Sequence, residues 1–207
     1  METKDYLNVI TEEIHSTVVA TIDQDGHPVT RVIDMMLSDN HSIYFLTATG
    51  KEFYRQLVEQ EYISLSGMTG GENSMQKKAV SIHGHVRSIG KEKLDAIFQK
   101  NPYMAEIYPT EVSREALEVF CIDQGHGDYF DLSTKPITRG TFELGDVKAR
   151  KSGFYVLENC NGCGICQKKC PQNCINILNH KAVIIQENCL HCGNCEKECP
   201  VSAVKRY

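Results

Sequence analysis

The 207-residue chain contains no apolar run approaching the roughly 20 residues that a membrane-crossing helix needs, so no membrane partner is expected. Its first residues lack the charged and apolar regions of a secretory leader, and a cytoplasmic, reducing setting is expected. No stripe of interleaved aromatic and basic residues marks a nucleic-acid surface, so no nucleic acid is expected as a partner either. Nothing in the order of residues singles out a general acid, a base or a nucleophile, and the catalytic residue stays unknown.

Cysteine is abundant. The last forty-eight residues carry eight cysteines in two copies of one pattern, C-x2-C-x2-C-x3-C-P. The first copy is Cys160, Cys163, Cys166 and Cys170-Pro171; the second, 29 residues on, is Cys189, Cys192, Cys195 and Cys199-Pro200. The run resembles that of bacterial-type ferredoxins, which hold two 4Fe-4S clusters. A cubane needs thiolates from four directions. The first three cysteines share a tight loop, where Gly162, Gly164 and Gly193 adopt positive φ without steric cost. The resemblance implies that the fourth serves the other cluster, which gives Cys160, Cys163, Cys166 and Cys199 to one cluster and Cys189, Cys192, Cys195 and Cys170 to the other.

Zinc is the competing metal, because C-x2-C pairs bind it tetrahedrally, but zinc sites rarely use three cysteines at these spacings with a fourth before proline. A disulfide framework suits an oxidising compartment, which is not expected here. Cys174 stands where the second copy has Ala203 and reads as a buried small residue, with a redox or spare-ligand role as the alternative. Cys121, alone in the apolar stretch LEVFCI, reads as core.

The formal net charge of −5 hides an asymmetry: residues 1–147 sum to −10 and residues 148–207 to +5. Eight thiolates and two cubane cores would add about −4 in the oxidised state, so the basic surplus offsets cluster charge or attracts an acidic partner. The first 147 residues are enough for one conventional core. The expected division is 1–147 and 148–207, with the polar, basic stretch 146–153 (DVKARKSG) as linker.

In the first domain, apolar Leu7, Ile10 and Ile14 predict a short amphipathic helix over 4–14. STVVATID and VTRVIDMML read as a hairpin across Asp25-Gly26-His27-Pro28, followed by the strand SIYFLTAT and the helix KEFYRQLVEQ. EYISLSGMT and AVSIHGHVRSI are further strands around a polar Gly-rich tip, and KEKLDAIFQKN is a helix ended by Asn101-Pro102. ALEVFCID, GDYFDL and ITRGTFEL read as separate short strands, with the Gly-rich loop around His126 between the first two. Many hairpin strands with few helices predict an antiparallel barrel.

Three motifs then resemble the pyridoxamine 5′-phosphate oxidase-like family, the FMN-binding split β-barrels, over roughly residues 5–145. They are Arg31-Val32-Ile33-Asp34-Met35-Met36, Tyr44 to Lys51 (YFLTATGK), and Ala79 to Val86 (AVSIHGHV). The expected fold class is therefore mainly β with α, an antiparallel split β-barrel, plus a small α+β ferredoxin-like C-terminal domain. The resemblance implies FMN in the cleft of a homodimer formed through the barrel. It puts the backbone of Val32, Ile33 and Asp34 beside the flavin ring, with Thr47 and Ala48 opposite. Lys51 after Thr49-Gly50, at a helix N-terminus, and the guanidinium of Arg31 are natural phosphate partners. Ordinary solvated roles compete for Lys51, Arg31 and Asp34. His83 and His85 share a strand face and either approach the flavin or sit half-exposed; Tyr129 and the His126 turn line the cleft if they form a loop.

The chain departs from the family where it matters for substrate. Met36 replaces a lysine, Ala79 a glutamine, and the ferredoxin replaces the C-terminal substrate-binding segment, so pyridoxamine phosphate oxidation is not expected. The whole resembles a split-barrel flavoprotein of an anaerobe. It implies an oxidoreductase passing electrons between ferredoxin or another one-electron carrier, the clusters, FMN and a small organic substrate. The rivals are a non-catalytic electron-transfer module, a redox sensor, and a barrel that binds haem instead.

Overall fold

Alternation of apolar and polar residues sets most of the N-terminal unit as antiparallel strands. The computed structural model describes residues 1–207. α1 (Thr3–Asn8) runs into a wider helical turn over Val9–Ile14, where the His15 N–H donates to the Ile10 carbonyl at 2.7 Å, five residues back. The apolar period over 4–14 does form a helix, but not a uniform one. Buried Thr11 turns its hydroxyl onto the Leu7 carbonyl at 3.3 Å and competes for a helical acceptor.

β1 (Ser16–Ile22) and β2 (Pro28–Asp34) form the expected hairpin, with Ser16 opposite Asp34 and Ile22 opposite Pro28. Then come β3 (Leu37–Ser38), β4 (Ile43–Ala48), α2 (Glu52–Gln60), β5 (Tyr62–Met68) and β6 (Lys78–Ser88). α3 (Leu94–Lys100), α4 (Met104–Ile107), α5 (Glu111–Arg114), β7 (Leu117–Asp131) and β8 (Thr138–Leu144) follow. The strand order is β2-β1-β5-β6-β7-β4-β3, with β8 beside β7. This is an open, curled sheet of the split-barrel kind, and the fold is mainly β with α. No helix is long and apolar enough to cross a membrane.

β7 is one strand of 15 residues where two short strands and a loop were expected. The cause is glycine used for proximity instead of turning. A Cβ on Gly125 would lie 2.4 Å from the His83 carbonyl oxygen, and one on Gly84 would lie 2.6 Å from that of Gln124. The backbones of β6 and β7 approach too closely for side chains there, which lets the sheet curl.

β4 is covered on both faces. Ile43 and Phe45 point into a core with Phe53 and Leu57 of α2, Phe120 of β7 and Leu7 and Ile10 of the N-terminal helix. Tyr44 and Leu46 point into a second core with Leu94 and Ile97 of α3, Val119 and Cys121. Cys121 is thus core, as expected, and burial pushes its thiol up to about 11. α3 ends where the buried Asn101 side chain donates to the carbonyls of Met36 and Ile97, at 2.9 Å each.

The second unit holds β9 (Phe154–Val156), α6 (Ile165–Lys168), β10 (Ile175–Leu178), β11 (Lys181–Ile184), α7 (Asn194–Lys197) and β12 (Val204–Arg206). The 29-residue offset of the sequence reappears, carrying α6 onto α7 and β10 onto β12. β10 pairs with β11 and β9 with β12, both antiparallel. Segments 73–78 and 130–140 group with this unit, whereas the sequence division assigns them to the first. The Ile137 N–H donates to Gln172 at 3.0 Å, and Asn188 donates to the Ile137 carbonyl at 3.2 Å.

Phe120 is fully buried and lies 5.7 Å from the ring of Phe45 and 5.7 Å from that of Tyr54. Phe120→Ala is expected to cost about 3–5 kcal/mol in urea denaturation followed by circular dichroism, by loss of transfer energy plus a cavity. Val58→Ala, at a residue 48% exposed on α2, should change stability by less than about 0.5 kcal/mol. Similar losses for the two variants would contradict the assignment of this core.

Candidate metal centres and anion site

Cys160 and Cys163 lie on the loop that enters α6 and Cys166 in α6 itself, while Cys189 and Cys192 lie on the loop that enters α7 and Cys195 in α7. Gly162 takes φ +67°, and a Cβ there would meet the His180 backbone at 2.7 Å. The fourth cysteine of each run faces away from its own loop. One cavity is lined by Cys160, Cys163, Cys166 and Cys199, with Ile177 and Val204 among its apolar walls. The other is lined by Cys170, Cys189, Cys192 and Cys195, and also by Cys174. The first lining thus contains four cysteines, and the second contains four with Cys174 beside them.

The spacing of the sulfurs bears on which metal they suit. Four thiolates on one zinc, bonded at about 2.3 Å, would stand about 3.8 Å apart. Yet no three cysteine sulfurs lie within 4.8 Å of one another. An all-sulfur donor set with apolar walls suits a soft metal or an iron-sulfur group. Asp23, Asp25 and His27 do approach that closely, but on an exposed turn where Asp23 Oδ1 accepts from the backbone N–H groups of Asp25 and His27.

Backbone donors already favour sulfur as an anion. The Ala203 N–H donates to Cys199 Sγ at 3.2 Å, and the Ala182 N–H to Cys160 Sγ at 3.5 Å. Burial raises the Cys199 thiol, but the N–H groups of Ala203, Val201, Val204 and Ser202 together outweigh it and hold the thiol below its ordinary range. Burial, reinforced by Cys189, pushes Cys195 up to about 11, and burial also raises Cys166 and Cys174. Metal binding would have to displace the protons of Cys195 and Cys166, which would make loading pH-dependent.

In the N-terminal unit the expected flavin-contacting residues divide between committed and free groups. The Arg31 guanidinium donates to Thr21 Oγ1 at 2.5 Å and to Gln56 Oε1 at 2.9 Å, and lies 4.5 Å above the Phe53 ring. Phe53 in turn stacks on Phe45, 6.0 Å away, so α2 links β2 to β4 across the curled sheet. Asp34 accepts from Ser16 at 2.6 Å and Tyr103 at 2.8 Å, with His15 at 3.5 Å, so its side chain is tied into the protein. Val32 is 65% exposed, and Ile33 is half-buried against the first core.

Thr47 is buried on the same strand face as Phe45, and its Oγ1 has no hydrogen-bond partner. Ala48 packs against the second core, and exposed Thr49 donates its N–H to the Ala116 carbonyl at 2.8 Å. Lys51, exposed, immediately precedes the nine-residue α2 at its positive end. An uncommitted lysine, a helix N-terminus and an orphaned buried hydroxyl suit an anionic cofactor. Glu52, in the first turn of α2, opposes them with a negative charge.

Sequence reasoning missed Thr21, Gln56 and Tyr103, whose roles depend on long-range packing. It expected a cleft-lining loop at Tyr129, which instead is buried in the first core, 5.2 Å from the Tyr6 ring. His83 Nδ1 lies 2.9 Å from Ser64 Oγ, and its ring is 5.5 Å from that of His126 on the next strand; His85 Nδ1 lies 3.2 Å from the Glu61 carbonyl. Met36, where the related oxidases carry lysine, is buried in the second core.

Residues 3–128 match the family described as Pyridoxamine 5′-phosphate oxidase, and residues 155–203 match the 4Fe-4S dicluster domain. The pyridoxine/pyridoxamine 5′-phosphate oxidase of Bacteroides thetaiotaomicron is 32% identical over 98 residues, 46% of this chain and 43% of that protein. The chain therefore matches less than half the length of this curated relative. Among solved structures, a NimC/NimA family protein from Clostridium acetobutylicum has a TM-score of 0.55 at 18% identity, over 69% of this chain and 93% of the other. A heme binding protein from Mycobacterium smegmatis has a TM-score of 0.54 at 12% identity, over 69% and 58%. At these identities the structural likeness speaks to fold alone.

The Asp34 carboxyl gives a pH test of the site's frame. Burial raises it, but the hydrogen bonds from Ser16 and Tyr103, with His15 nearby, hold it below the ordinary carboxylate range. A depressed carboxylate stabilises the fold above that range, and the contribution is lost as pH falls through it. Asp34→Asn should therefore be less stable than the parent at neutral pH. In urea titrations the gap should close as pH drops through and below the carboxylate range; a gap independent of pH would show that the charge contributes nothing.

Proposed function

The chain belongs to the pyridoxamine 5′-phosphate oxidase family, and from that premise we propose that it is a flavin-dependent oxidoreductase. It would pass electrons between ferredoxin or another one-electron carrier, two 4Fe-4S clusters, FMN and a small organic substrate. The observation that carries this reading is the pair of cavities, each lined by three cysteines of one run and the fourth of the other. Cys160, Cys163, Cys166 and Cys199 would hold one cluster, and Cys189, Cys192, Cys195 and Cys170 the other. When bound, the clusters supply one-electron transfer and the flavin converts it to two-electron chemistry.

On the barrel, Lys51 and the first N–H groups of α2 would bind the FMN phosphate, aided by the cation of Arg31. Thr47 Oγ1 would find its missing partner at the cofactor, and the backbone of Val32, Ile33 and Asp34 would flank the ring, with Thr47 and Ala48 opposite. Arg31, already fixed by Thr21, Gln56 and Phe53, keeps further N–H donors for an anion. A homodimer through the barrel would complete each flavin cleft. Pyridoxamine phosphate is disfavoured as substrate because buried Met36 offers no cation to its phosphate.

A non-catalytic electron-transfer module is the second reading, favoured by the commitment of Arg31 and Asp34 to neighbouring side chains. Turnover of a nitro compound or an enoate with reduced ferredoxin would exclude it.

Anaerobically purified protein should contain about eight irons and eight sulfides per chain and about one FMN. Cys199→Ala should reduce iron to about four per chain and leave flavin unchanged, while Lys51→Ala should lower flavin retention and leave iron unchanged. Zinc in place of iron, or metal-free protein, would refute the reading.

A further inference from the structure

The two sulfur-lined cavities differ by one thiol. Cys174 lines the cavity of Cys170, Cys189, Cys192 and Cys195, with its Sγ 3.4 Å from Cys170 Sγ. That separation is far outside the about 2.05 Å of a disulfide and within reach of a thiol hydrogen bond. Twenty-nine residues on, the equivalent place is held by Ala203, and the Cys199 cavity has four thiols with no fifth. Cys174 is 3% exposed and packs with Ile175 and Ile184, so water does not compete for its S–H.

We propose that Cys174 is a positioning residue that acts on one cluster only: its S–H donates to the sulfur of Cys170 and raises the reduction potential of the cluster that Cys170 serves. The inference rests on the iron-sulfur reading above. Reduction places an extra electron on a cluster and spreads negative charge onto its sulfurs. A donor aimed at one of those sulfurs stabilises the reduced state more than the oxidised state. Backbone N–H groups reach Cys160 and Cys199 in the other site, so each site has its own donors, and Cys174 supplies the side-chain one. A single net hydrogen bond shifts an equilibrium by roughly two- to tenfold, and tenfold is about 59 mV for a one-electron couple. That difference would bias which cluster holds the electron at rest and so give the path a direction.

The test is a potentiometric titration of the anaerobic full-length protein with dithionite, followed by electron paramagnetic resonance. Each cluster takes one electron from dithionite; no bond forms or breaks, and Cys174 keeps its proton. The parent should titrate in two waves. Cys174→Ala should lower one wave severalfold in its equilibrium constant, leave the other fixed and retain about eight irons per chain. Cys174→Ser, which keeps a donor of similar size, should recover part of the shift and guards against a packing artefact. Waves that do not move, waves that move together, or loss of about four irons in Cys174→Ala would each overturn the proposal, the last by making Cys174 a ligand. Parent protein without iron would instead sink the reading beneath it, so the two failures are distinguishable.

Discussion

A loop of seven residues can turn three sulfurs toward one space, and the fourth has to come from elsewhere. The C-terminal unit is organised by that shortage. Each run sends its last cysteine, fixed before a proline, into the cavity opened by the other run. Neither half can complete a site alone, so the pairings β9 with β12 and β10 with β11 hold the halves in mutual register. The apolar core here is small, and cysteines form much of its wall beside Phe154, Ile175 and Val204. A unit of this size buries too little surface to be comfortably stable by apolar contact, so ligation would contribute to folding as well as to chemistry.

The N-terminal unit answers a different constraint. β4 lies between two cores, so every residue from Ile43 to Thr47 is buried and its neighbours are fixed. α2 must follow at once and cover one face with Phe53 and Leu57. That placement puts Phe53 between Phe45 and Arg31, and it is how a residue on the far edge strand comes to the beginning of α2. Glu52 stabilises the positive end of the helix when no anion is near, and its negative charge would oppose an incoming phosphate. Lys51 next to it offsets that cost, which makes the anion site a balance of adjacent charges instead of a dedicated cation cluster.

These two units differ in how far the sequence reveals them. The two cysteine runs were legible because their pattern is local, a matter of two-residue spacings and a following proline, whereas the exchange of the fourth cysteine is what the resemblance to ferredoxins implies. Most strands of the barrel and its first hairpin were legible from period-two alternation and the turn at Asp25-Gly26, whereas the strand order was not. Gly125 and Gly127 misled, because a glycine that permits close backbone approach looks the same in sequence as one that turns the chain. Tyr129 followed them into the wrong environment. The partners of Arg31 and Asp34 could not be read at all, since Thr21, Gln56 and Tyr103 reach them through tertiary packing. The same holds for residues 73–78 and 130–140, which group with the C-terminal unit, where the Ile137 backbone meets the side-chain amides of Gln172 and Asn188.

Charge links the sequence to the proposed electron path. Residues 148–207 carry a formal +5, and two of their acids are already paired, Glu158 with Lys181 at 2.5 Å and Glu198 with Lys169 at 3.7 Å. Two oxidised clusters with their thiolates would bring about −4, which leaves the region close to neutral. A nearly neutral surface steers a charged carrier weakly, so recognition would rest on contact. Cys163 and Cys192 are the exposed cysteines of the two sets, while Cys166, Cys189 and Cys195 are buried. The loops that carry them are therefore where a one-electron partner would come nearest to either cluster, and distance more than long-range attraction would select its docking place.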